Sequence, residues 1–147
     1  MILSLALGLG MFILTLSVQA VPTAFLIRIA TSKHPRSLTR PSFWPNFVLF
    51  QMAAVLLALA HLVEVALWAI LYCLCGEFAG FEGAYYHSAV NFSTLGYGDI
   101  VMSVRWRLLG PLEAMNGIVM FSLSTALMFA LMMRLIERRL EAKEREQ

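Results

Sequence analysis

Charge is scarce in this chain. Only 14% of its 147 residues are Asp, Glu, Lys or Arg, and residues 1–27 carry none at all. An ordinary soluble domain has about a quarter of its residues charged, so this composition excludes one. The net charge of +2 is small, and no basic block is mixed with aromatics, so no nucleic acid partner is expected. Cysteine is confined to Cys73 and Cys75. A C-x-C pair rarely closes on itself because the geometry is strained. The two thiols read as small apolar residues in lipid or packing, with an intersubunit disulfide as the alternative. No serine–histidine–carboxylate set and no zinc motif is evident, so neither an enzyme nor a resident cofactor is expected. No span carries an evenly spaced arginine series, which argues against a voltage sensor.

What the chain has is apolar length, with 60% of its residues hydrophobic. Residues 1–30 read as an N-terminal transmembrane helix. Its uncharged first 27 residues would measure about 40 Å as a helix, enough to cross a bilayer. Pro22 is expected to kink it near its end. A cleaved signal peptide ending at Val18-Gln19-Ala20 competes with that reading. A positive leader is lacking and the apolar run continues past the site, which favours a retained helix. Residues 31–45 read as a basic cytoplasmic loop. With Arg28 just before it, the segment holds Lys33, His34, Arg36 and Arg40 among Pro35, Pro41 and Pro45. It reads first as a topology signal, and second as a binder of anionic lipid. Phe43 and Trp44 look like interfacial anchors of the next span.

Residues 46–75 read as an outer helix. His61 and Glu64 lie three apart in its middle and share a face, which Trp68 and Tyr72 extend at spacings of four. An ionisable pair inside a membrane faces protein or water. The pair is therefore a buried polar contact that docks this helix on its neighbours, or a proton sensor. Residues 76–83 read as a short outer loop, and 84–93 as a helix too short to span. Half-helices at membrane depth are allowed only inside protein or beside water, so 84–93 reads as re-entrant. Residues 108–133 read as a third span, with Glu113 near its start, where a negative charge suits the helix dipole. Residues 134–147 form a charged cytoplasmic tail with too few apolar positions for a sustained heptad.

Between the short helix and the third span stands Thr94-Leu95-Gly96-Tyr97-Gly98-Asp99. A dehydrated cation needs oxygens that replace its water shell. Successive backbone carbonyls supply them if alternate residues tolerate positive φ, which Gly96 and Gly98 do. One copy cannot encircle an ion. The string resembles the selectivity filter of tetrameric potassium channels, which usually reads Thr-Val-Gly-Tyr-Gly-Asp. The resemblance covers residues 47–133 and implies an all-α membrane protein: three transmembrane helices, a re-entrant pore helix and a filter, assembled as a homotetramer in the lipid bilayer. It implies passive conduction of K+, held by the backbone carbonyls of Thr94, Leu95, Gly96 and Tyr97, with Asp99 at the outer mouth. It also makes Gly117 a candidate hinge of the inner helix, beside the plain reading of a packing glycine. Leu95 stands where the family usually has valine, which keeps a weakly selective cation channel as the alternative. A non-conducting accessory or sensor protein built on His61 and Glu64 is the alternative of another class. Tyr86 and His87 occupy the places of the family's bracing aromatics. Val90 stands where some members carry a carboxylate that partners the filter aspartate. Arg105 and Arg107 are expected to pair with carboxylates such as Asp99 or Glu82, or to reach headgroups. Lys/Arg excess in the first loop and the tail puts both in the cytoplasm of a plasma (inner) membrane and the N-terminus outside.

Overall fold

A computed structural model describes residues 1–31 and 43–144. These residues form an all-helical fold with no strand among them: α1 Ile2–Thr31, α2 Phe43–Leu74, α3 Phe81–Phe92 and α4 Leu109–Glu144. Three helices are long and apolar enough to cross a membrane, over Ile2–Ile29, Trp44–Leu74 and Leu109–Glu137. The basic residues Lys33, His34, Arg36 and Arg40 and the end of the tail, with Arg145, lie outside the described residues. The helix runs unbroken through Pro22. α4 likewise continues past the expected end of the inner helix at 133, so the charged residues from Arg134 to Glu144 extend the same helix.

Glycine sets both ends of the outer turn. Gly76 takes φ +76° after α2. Its N–H donates to the Cys73 carbonyl (3.0 Å) and the Glu77 N–H to that of Tyr72 (3.2 Å), a left-handed cap that uses the last carbonyls of the helix. The short helix then begins at Phe81, three residues earlier than expected. Gly80 is its extended N-cap and Glu82 lies in its first turn, where the dipole favours it, while Gly83 is absorbed into the helix. Gly83 thus belongs to the helix and not to the loop expected over residues 76–83.

Two buried clusters hold the helices together. The larger joins Met11 of α1, Trp68 and Tyr72 of α2, Ala84 and Phe92 of α3, and Leu109 and Met120 of α4, with Met102 and Trp106 from the intervening loop. The smaller joins Leu26, Ala53, Leu57 and Leu131 at the other end of the spans. α1 is fastened to α4 and to the loop before it, near the end that carries residues 94–99. The Ser4 hydroxyl donates to the Arg105 carbonyl at 3.3 Å, and a Cβ on Gly8 would stand 2.6 Å from Leu112 Cδ1. Met1 and the Thr94–Asp99 loop therefore share one end, and Arg28 and the tail share the other.

Candidate functional site

The loop leaving α3 has an unusual backbone. Ser93 ends the helix at φ −75°. Thr94, Gly96 and Gly98 then take φ of +62°, +59° and +72°, while Leu95 and Tyr97 keep negative values. Thr94 is the one non-glycine residue with positive φ among those described. Alternating handedness turns successive N–H groups to one side of the chain, and so the carbonyls to the other. The hydrogen bonds fix which side is which. The Thr94 N–H donates to the Asn91 carbonyl at 2.8 Å, and those of Leu95 and Gly96 donate to the Val90 carbonyl at 3.0 and 3.3 Å. All described peptides are trans, so each N–H is opposed by the carbonyl of the residue before it. The carbonyls of Ser93, Thr94 and Leu95 therefore project away from α3. Thr94 to Asp99 are exposed in the single chain.

The same bonds define what the C-terminal end of α3 does. Ala89, Val90 and Asn91 give their carbonyls to N–H groups of residues 93–96. The helix end thus acts first as the cradle of the loop. The Phe92 carbonyl lies against α4: a Cβ on Gly117 would stand 1.9 Å from it. Gly117 is thus required by close packing, whatever its part in bending.

Behind the loop, the Tyr86 hydroxyl donates to Asp99 Oδ2 at 2.8 Å. That bond raises the Tyr86 phenol above its ordinary pKa. Asp99 is therefore held by Tyr86, where Val90 could not hold it. Arg105 and Arg107 form no ion pair with Asp99 or Glu82. The Arg105 guanidinium stacks 5.0 Å over the Trp106 ring instead, a cation–π contact available because the two side chains are neighbours. Glu77 secures the returning loop by accepting from the Ser103 N–H (2.7 Å) and hydroxyl (2.5 Å). Burial lowers the His87 pKa, and Asn91 Nδ2 lies 2.9 Å from its Nε2. Cys73 and Cys75 are free thiols. Burial raises the Cys75 pKa, assisted by Glu77 and opposed by Arg105.

Glu113 does not serve the helix dipole. It lies beyond the first turn of α4 and is fully buried. One carboxylate oxygen accepts from Ser88 of α3 at 2.5 Å and the other from Tyr72 of α2, so one side chain joins three helices. Asn116, a turn further on, accepts from Trp68 (3.1 Å) and exchanges bonds with Thr15 of α1 (3.1 and 3.0 Å). Interhelical bonds in membranes are worth about 0.6 kcal/mol on average and about 1.7 at most. Glu113→Ala should thus cost about 1–3 kcal/mol per chain, plus the cavity. The expected result is a purified chain that unfolds at markedly lower temperature in detergent, with Glu113→Gln in between. An unchanged unfolding temperature in Glu113→Ala would refute the junction.

His61 and Glu64 meet at 2.8 Å, Nδ1 to Oε2. His61 Nε2 lies 3.0 Å from Ser124 Oγ, which accepts from Gln19 Nε2 at 2.6 Å. The His61 ring also stands 4.8 Å from Phe121 and 6.1 Å from Phe92. The sequence signal for these partners is a polar residue inside an apolar run, which Gln19 and Asn116 both are.

A family model described as "Ion channel" matches residues 58–134, just over half of the chain. The match takes in the second half of α2, α3, the loop and the spanning part of α4, and leaves α1 outside. Comparisons with curated proteins and with solved structures give no match.

Proposed function

The chain belongs to the ion channel family, and on that premise we propose that four copies surround one axis and conduct potassium passively through residues 94–98. The observation that carries this reading is the backbone of that loop. Its first N–H groups are tied back to α3 and its φ values alternate in sign, a geometry suited to a file of inward carbonyls. Thr94, Leu95, Gly96 and Tyr97 supply the oxygens that offset the loss of the ion's water shell. Ions in adjacent sites repel and speed one another's exit. Asp99, held by Tyr86, stands at the outer mouth.

Exposure supports the assembly. Of the three spans, α4 is the least covered in a single chain: 17% of its most apolar window is buried, against 39% for α2. Further copies of the chain supply the missing cover. The positive-inside bias places Arg28 and the tail in the cytoplasm of a plasma membrane, with Met1 and the filter outside. Proteoliposomes loaded with potassium test the reading: ionophore-coupled uptake of a tracer cation should require the protein and an intact Gly-Tyr-Gly.

For His61 and Glu64 we favour docking over sensing. Both ring nitrogens are engaged, and the string Gln19–Ser124–His61–Glu64 crosses α1, α4 and α2, which is how polar side chains fasten helices in lipid. Flux should therefore stay flat between about pH 5 and 8, the window in which an ordinary histidine titrates. A pH-dependent flux that His61→Gln abolishes would establish the sensor instead.

A further inference from the structure

Asn91, one residue before the end of α3, makes contacts of two kinds. Its carbonyl accepts the Thr94 N–H at 2.8 Å, the shortest of the three bonds that tie residues 94–96 to the helix. Its side chain is wedged between His87 and the start of α4. We infer that Asn91 is a positioning residue: its amide, fixed by His87 and α4, sets the carbonyl from which the loop of residues 94–98 leaves the helix. Its bearing on ions rests on the conduction reading given above.

The amide is confined from two sides. Its Nδ2 lies 2.9 Å from His87 Nε2. A Cβ on Gly110, in the first turn of α4, would stand 3.4 Å from Nδ2 and 3.7 Å from Cγ and Oδ1. Tyr72 and Glu113 are further neighbours. His87 cannot swing away, because it is buried with its ring 5.4 Å from Tyr72 and 5.2 Å from Phe78. Position therefore passes from α2 and the outer turn through His87 to Asn91, and from α4 directly. It reaches the loop through one peptide. The Thr94 N–H is opposed by the Ser93 carbonyl, so a shift of the Asn91 carbonyl turns that peptide and the carbonyls that follow. Thr94 sits at φ +62°, a conformation that a non-glycine residue keeps only where its surroundings hold it. Val90 accepts the next two N–H groups, but its side chain is apolar and supplies no polar tie. Asparagine is a poor helix former, so local propensity does not account for Asn91 at this position.

The full chain in proteoliposomes is compared with Asn91→Leu, which keeps a side chain of similar shape and removes its polar atoms, and with two variants of His87. His87→Phe keeps the ring and removes the acceptor, whereas His87→Gln puts an amide oxygen within similar reach. Asn91→Leu and His87→Phe should each lower the ratio of potassium to sodium uptake at least about tenfold, equivalent to about 1.4 kcal/mol, in oligomers that elute as wild type. His87→Gln should keep most of the ratio. The double variant should lose no more than either single one, because both remove the same bond. Hydrogen exchange at the N–H groups of residues 94–96 should quicken in the same two variants, and not along α1. The two His87 variants carry the test if Asn91→Leu fails to fold. An unchanged ratio and unchanged exchange in Asn91→Leu and His87→Phe overturn the proposal. Additive losses in the double variant overturn it too, as does exchange that quickens along every helix. Exchange is read without ion flux: a wild-type chain that selects no cation ends the conduction reading, and the exchange result still decides the role of Asn91.

Discussion

Gly98→Ala is expected to eliminate selective potassium flux while leaving assembly intact. Gly98 sits at φ +72°, and a Cβ there would meet no atom within 4 Å in the single chain. The penalty is therefore conformational. An L-residue in the left-handed region costs roughly 1–2 kcal/mol, and the fourfold ring proposed would repeat it to about 4–8 kcal/mol. At 1.4 kcal/mol per decade, the filter geometry would be depopulated by about three decades or more. Gly96→Ala, at φ +59°, should behave alike. D-alanine at either position accepts positive φ and should restore flux. The measurement is tracer uptake into proteoliposomes, beside size-exclusion elution to show intact oligomers. Normal selectivity in either L-alanine variant would refute the filter assignment.

Gly117→Ala should fail differently, in assembly. The added Cβ would lie 1.9 Å from Phe92 O, 2.9 Å from Phe92 C and 3.2 Å from its Cα. These are backbone atoms at the end of α3, so no side chain can swing aside. Overpacking costs typically 1–3 kcal/mol per site, about 4–12 kcal/mol over the four copies proposed. Per copy, the roughly 1 kcal/mol that Ala gains over Gly in propensity offsets only the low end of that cost. The expected outcome is loss of the oligomer on a native gel, or its dissociation at far lower temperature. A glycine kept only for bending predicts the reverse: stable oligomers with altered opening. Wild-type assembly by Gly117→Ala would contradict the packing account.

Much of this was readable from the chain because it is local. The three apolar spans follow from composition, and the filter string is contiguous. His61 and Glu64 are a single helical turn apart and duly meet. What the sequence could not give are pairings between residues far apart along it. Thr15 and Asn116 are separated by 101 positions and Gln19 and Ser124 by 105. Choosing those partners requires the rotation of each helix, which a nearly uniform apolar surface does not specify. Glu113 is a like case: a local rule about helix ends describes its position, but its partners, Ser88 and Tyr72, lie on other helices. Thr94 is a further case. Its positive φ arises from the bonds that tie the next residues to Val90, not from a propensity of threonine.

The role of the added helix follows from such contacts. α1 reaches α4 through Thr15 and Gln19, and the loop before α4 through Ser4, so it is bound at several depths and is no loose anchor.

Uptake of potassium, rubidium and sodium, compared side by side in vesicles holding only this protein, tests the central claim most directly. Oxygens spaced for a bare potassium ion predict brisk uptake of potassium and rubidium with sodium nearly excluded. Sodium entering as fast as potassium, or no cation entering at all through intact tetramers, would contradict it.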